Sequence, residues 1–119
     1  NSSTYYAEMA SLYLSTNDLP NAKKNAVLSL KQYKNQASAL YILGKICFKD
    51  KKWENAYKWC EEALEVNYKN SNIHLLLAKI NLQQNKNENA VHHYKIAKDY
   101  NQCIKDEKLE KISIHFPEL

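Results

Sequence analysis

Three stretches of equal length, 3–36, 37–70 and 71–104, follow one another in this chain without insertion, and each repeats one residue pattern. The middle stretch shows it best. Its first half, Ala37 to Phe48, is apolar at helical spacing; a polar corner follows at Lys49-Asp50-Lys51-Lys52; its second half, Trp53 to Val66, is again apolar at helical spacing. Two segments of three to four turns around so short a corner make a helical hairpin. A shift of one repeat, 34 residues from 37 to 71, carries the pattern onto itself. Asn55-Ala56 then falls on Asn21-Ala22 and Asn89-Ala90, Gly44 on Ala10 and Ala78, Leu43 on Met9 and Leu77, and Ala63 on Ser29 and Ala97.

The small residues in register explain how such hairpins close. Ala10, Gly44 and Ala78 sit in first helices; Ala22 and Ser29, Ala56 and Ala63, and Ala90 and Ala97 sit in second helices. A small side chain lets one helix axis approach its partner in ridges-into-grooves packing. Larger residues fill the seam between them: Tyr6, Met9 and Tyr13 in the first repeat, and Leu40, Leu43, Cys47 and Cys60 in the second. A helix–turn–helix period of 34 residues with small residues at these places resembles the tetratricopeptide repeat family. The resemblance implies an all-α fold, a right-handed superhelix of three stacked hairpins, within a single domain spanning 1–119. The register fails after Cys103, and 105–119 is expected to supply a capping helix and tail. Leu109, Ile112 and Ile114 give it an apolar stripe, and a repeat array needs a terminal element with one polar face. A degenerate fourth repeat is the alternative for this segment.

Several local signals refine the expectation. Asn1-Ser2-Ser3-Thr4 are capping residues before a helix from Tyr5 to Leu14, and Pro20 suits the first turn of the next helix, which runs to Gln32. Ser71-Asn72 reads as the cap of the fifth helix, and Glu88 as the start of the sixth. The family often places Gly at the tight corner, where this chain has Asn17, Lys51 and Asn85. Asn tolerates a left-handed backbone, whereas Lys51 is expected to close its corner with a different geometry. Trp53 supplies an aromatic under its corner, Leu19 a partial substitute, and Asn87 none. The segment Ile73 to Leu82 is apolar almost all round, so it is expected to be covered on more than one side. In the sixth helix Val91, Tyr94 and Ala97 share one stripe, with His92 and Lys95 on another.

Composition narrows the function. Apolar residues at 45% and charged residues at 25% fit an ordinary globular chain, and one Gly with two Pro fits a helical one. No apolar run approaches the roughly 18 residues that a membrane helix needs. The chain opens on Asn1 and not Met, as an excised piece or processed product would. The net charge of +4 is spread without a run of five like charges, which argues against nucleic acid as a partner. Cys47, Cys60 and Cys103 are odd in number and form no Cys-x-x-Cys pair, which favours a reducing, cytoplasmic setting.

Catalysis finds no footing. His74, His92, His93 and His115 form no His-x-x-x-His or His-Glu-x-x-His pair, and are expected to be exposed or half-buried. His92 and His93 point about 100° apart on a helix, too far to share a metal easily. Glu61-Glu62 read as a solvated face, and one Gly leaves no phosphate-cradling loop. No metal, no cofactor and no catalytic residue is assigned.

Surface recognition remains. In the family the first helix of each hairpin lines an inner, concave face. Counting along those helices gives Thr4, Ala7, Ser11 and Leu14, then Ser38, Tyr41, Lys45, Phe48 and Lys49, then Asn72, Leu75, Lys79, Leu82 and Gln83. The last two sets mix aromatic, aliphatic and cationic side chains, which suits a peptide or helical segment that is amphipathic and carries acidic residues. Packing against neighbouring hairpins is the competing role for Phe48, Leu75 and Leu82. One subgroup of the family clamps the terminal carboxylates of heat-shock chaperones with Lys, Asn and Arg. Here the matching places hold Ala7, Ser11, Ile42, Asn72 and Leu76, so chaperone tails are not the expected partner. Ile42 and Leu76 would instead meet another subunit if the chain is a scaffold segment of a larger repeat protein. A regulatory part of an enzyme whose catalytic domain lies elsewhere is the third alternative.

Overall fold

The computed structural model describes residues 1–119 and contains seven α-helices and no strand. It divides into two compact units, 1–68 and 69–119.

The first unit holds α1 (Ser2–Ser15), α2 (Leu19–Gln32), α3 (Ala37–Lys49) and α4 (Trp53–Val66). α1 starts a turn before Tyr5 because the Asn1 side chain accepts from the Thr4 amide at 2.9 Å while its carbonyl accepts from Tyr5. α1 packs on α2 and α3 on α4, and α3 in turn lies against α2 and α1. The small residues are where close approach requires them: Ala10, Ala22, Ala56 and Ala63 are 0% exposed and Gly44 is buried. Ser29 occupies one such place at no cost in unpaired polarity. Its hydroxyl donates to the Ser3 carbonyl at 2.7 Å, and the Ser3 hydroxyl donates to the Ser29 carbonyl at 3.0 Å. Ala7, placed by the sequence on the inner face, belongs instead to the core of this unit with Ala26, Ala39 and Ile42. Ile42, expected to meet another subunit, is covered within the chain. Leu76 in the second unit is likewise buried.

All three corners close alike. Asn17, Lys51 and Asn85 have φ of 61°, 61° and 60°. In each corner the left-handed residue donates to a carbonyl three residues back: Leu14, Phe48 or Leu82. The residue after it donates five back, to Tyr13, Cys47 or Asn81, at 2.9 Å each time. This is the Schellman arrangement, which satisfies the last carbonyls of the outgoing helix. The expectation that Lys51 would force a different corner is therefore wrong. The paired hydrogen bonds, with the Trp53 ring set edge-on at 5.3 Å from Phe48, hold a lysine in a conformation it does not favour.

The second unit holds α5 (Ser71–Gln83), α6 (Asn87–Tyr100) and α7 (Glu107–Ser113). The cap of α5 is Asn70 and not Ser71: its side chain accepts from Asn72 at 2.9 Å and Ile73 at 3.2 Å. α5 is covered as its composition demands, with Ile73, Leu77, Ala78 and Ile80 all at 1% exposure or less. Ala78, Ala90 and Tyr94 form a core that Leu109 of α7 completes. α7 turns Glu107, Lys108 and Lys111 to solvent. It is tied to α6 through one phenol. Tyr94 donates to Glu110 at 2.7 Å and accepts from the Asp106 amide at 3.0 Å, while Lys98 reaches the same carboxylate at 2.6 Å. Lys95 donates to the carbonyls of Phe116 and Leu119 and holds the tail.

Two outcomes follow from this geometry. Lys51→Gly should raise the unfolding free energy by about 1 kcal/mol, and Asn17→Gly by less, in urea titrations, because only glycine is unstrained at positive φ. Lys98, and after it the Tyr94 phenol, hold the Glu110 carboxyl below its usual 4.5. The docking of α7 is then complete above that pH and weakens as pH falls through the lower folded value. Protection factors of the α7 amides should fall with pH in that window, and should be low and flat in Glu110→Gln.

Candidate functional site

The residues of the last two sets assigned to the inner face lie on two helices, α3 in the first unit and α5 in the second. On α3 the spacing of Tyr41, Lys45, Phe48 and Lys49 puts them on one side. Tyr41, Lys45 and Phe48 are half-buried and Lys49 is exposed. The Lys45 ammonium lies over the Tyr41 ring, 5.4 Å from its centroid. Burial, with Cys60 nearby, pushes the Tyr41 phenol up to about 12, so it stays a neutral ring under the cation.

On α5, Asn72, Leu75, Lys79, Leu82 and Gln83 share a side in the same way. Asn72 and Gln83 are exposed at the two ends. Leu75 and Leu82 are half-buried, packed against the core of the second unit. Lys79 stands between them, also half-buried. Of the two roles that the sequence set against each other for these leucines, packing is met, and each keeps some exposed surface. Phe48 divides its surface similarly, since one edge meets Trp53.

The histidines depart from expectation. His74 is fully buried, not exposed or half-buried, and its Nδ1 lies 3.3 Å from Nδ1 of half-buried His93. One ring must donate and the other accept, so at least one of the two is neutral. The rings stack with centroids 5.5 Å apart, and Tyr100 adds a third ring at 5.9 Å from His74. Burial, and then His74 and His92, push the His93 imidazole down to about 4. The sequence signal lay in the repeat register. His74, Asn81, His93 and Tyr100 stand one repeat after Leu40, Cys47, Trp59 and Val66, so a mostly apolar set becomes polar. The same set contains the Asn81 Nδ2, buried with no hydrogen-bond partner.

Chemistry of other kinds has little to build on. No group of three or more His, Cys, Asp or Glu side chains could hold a metal ion. Cys47, Cys60 and Cys103 are free thiols. Burial raises Cys47 and pushes Cys60 up to about 12, the opposite of an activated nucleophile. No helix is long and apolar enough to cross a membrane.

Comparison with known proteins agrees with this architecture. The first tetratricopeptide domain of Spaghetti (RPAP3), solved bound to an HSP90 peptide, superposes with a TM-score of 0.86 at 15% identity, over 98% of this chain and 94% of that one. The TPR2B domain–pHsp70 complex of yeast Sti1 gives 0.81 at 14%, over 95% and 94%. An O-GlcNAc transferase of Thermobaculum terrenum gives 0.82 at 13%, over 86% of this chain but 20% of that one. At these identities the likeness is one of fold, and the fold is that of tetratricopeptide repeats. No curated protein matches the chain in sequence. A family model described as "Anaphase-promoting complex, cyclosome, subunit 3" matches residues 15–97, well over half of the chain. The chain belongs to that tetratricopeptide-type family.

The histidine pair makes one outcome testable. A lowered folded pKa means that the neutral form is the folded form, so its contribution is intact above the ordinary 6.5 and is lost as pH falls toward about 4. The thermal midpoint should drop across that window, and His93→Gln, which keeps a hydrogen-bonding partner for His74, should flatten the drop.

Proposed function

We propose that the chain is a non-catalytic protein–protein interaction module that holds a peptide or helical segment of a partner against the inner faces of its first helices. One observation carries this: cations are set beside apolar surface on both α3 and α5. Lys45 rests over Tyr41, and Lys79 lies between Leu75 and Leu82, with Phe48, Lys49, Asn72 and Gln83 flanking. Such rows match a partner whose apolar residues alternate with acidic ones. Relatives of the same fold solved with HSP90 and Hsp70 peptides support peptide binding as the mode.

The HSP90 and Hsp70 complexes of the same fold point toward chaperone tails, whereas the clamp places of this chain point to another partner. The places that would clamp a terminal carboxylate hold Ala7, Ile42 and Leu76, all buried, with Ser11 and Asn72 exposed, and none is a cation. A second role is as a scaffold segment within a multiprotein assembly, which the family's description as a complex subunit favours. A regulatory segment attached to an enzyme is favoured by the transferase, of which the matching repeats are only 20%.

Lys45→Glu combined with Lys79→Glu should abolish capture of the partner from lysate by the immobilised chain while the helical circular dichroism signal is kept. The loss should be about tenfold or more, since like charges then face each other. Capture that survives both changes would move the interface off these helices.

A further inference from the structure

We propose that a hollow between the first two hairpins is a second recognition site, and that its ligand is an extended peptide segment in which a basic and an acidic residue stand side by side. The hollow has a volume of about 620 Å³ and lies wholly in the first unit. Parts of two successive hairpins bound it: Tyr33 and Lys34 in the connection leaving α2, Leu40 on α3, and Glu62, Glu65 and Val66 near the end of α4. Both hairpins are present, so the hollow is internal to the array and not an open end of it.

Its lining defines the ligand. Leu40 is buried, while Tyr33 and Val66 keep 54% and 42% of their surface open, so apolar contact is on offer. The charges are of both signs and belong to different elements, Lys34 to the connection and Glu62 and Glu65, one turn apart, to α4. They do not neutralise one another: the ion pairs of the chain, Lys98–Glu110 and Lys111–Glu107, both lie in the second unit. A ligand that satisfies both signs must itself carry both. Adjacent residues of an extended chain point to opposite sides, so an Arg-Asp step presents one charge to each element. Arg suits the hollow better than Lys, because its planar guanidinium pairs with a carboxylate and stacks on an aromatic face such as that of Tyr33. Glu62 also lines a second hollow of about 390 Å³, beside Asn55 and Trp59. From Asn55 to Val66 is about 16 Å of helix, the reach of about five extended residues, which selects a segment over a single amino acid. None of these residues belongs to the rows on α3 and α5 assigned above, so the two sites are separable by mutation.

The test is an NMR titration of the isotope-labelled chain with hexapeptides blocked at both ends, whose central pair is Arg-Asp, Arg-Arg, Asp-Asp or Gln-Asn. The Arg-Asp peptide should bind most tightly and shift the amides of 33–40 and 59–66. Tyr33→Ala should weaken it about threefold or more. Lys34→Glu should transfer the preference to Arg-Arg, and Glu62→Lys with Glu65→Lys to Asp-Asp, again by about threefold or more. All four positions are exposed, and circular dichroism verifies that each variant keeps its helices. Lys45→Glu with Lys79→Glu should leave these affinities unchanged. No measurable binding, a preference that does not follow residues 34, 62 and 65, or free arginine binding as tightly as the Arg-Asp peptide would overturn the proposal.

Discussion

Close approach of paired helices is the constraint that everything else in this molecule satisfies. Ala10 and Ala22, Ala56 and Ala63, and Ala78, Ala90 and Ala97 are all sealed at 0% exposure. A single methylene at any of them would push apart backbones that protein interiors pack at crystal-like density. Because the seams are made of alanine, the larger apolar residues are released to the spaces between hairpins and to the surface. Leu75 and Leu82 are examples, anchored on a core on one side and open on the other. Open apolar surface is thus a by-product of how tightly the pairs are drawn together.

The corners follow from the same demand. Helices that touch along their length must reverse direction within two or three residues, and one residue of each corner takes a left-handed backbone. The hydrogen bonds are the same whether that residue is Asn or Lys, so backbone pairing and ring packing outweigh a local preference of about 1–2 kcal/mol. The strain at Lys51 is tolerated because the hairpin around it is held at many points.

The hairpins and their seams were legible in the sequence because register and small size are properties of residue order alone. Lys51 was misjudged because the preference of one residue leaves out the two Schellman bonds and the ring packing that hold its corner. Asn70 was passed over as a cap because Ser71-Asn72 offers equally good capping chemistry one residue later. The buried His74 was missed for another reason: histidine is mostly found at surfaces, and its hydrogen bond and stacking with His93, with the Tyr100 ring beside it, make burial acceptable. The inner-face positions were identified by counting along helices, but Ala7 shows the limit of counting, since a small residue on that side is drawn into the core. That Leu75 and Leu82 pack against the core could not be decided from order, because half-burial depends on what α6 and α7 bring against them.

The Tyr94 hydroxyl, finally, is a shared fastening. It meets the Asp106 amide ahead of α7 and the Glu110 carboxylate within it, and Lys98 crosses the ring to reach the same acid. With Leu109 set in the core and Lys95 on the tail, that oxygen joins the loop, the helix and its ion pair at one point, so each contact supports the others. The last helix is thereby buckled to its neighbour from both of its ends, as a clasp is.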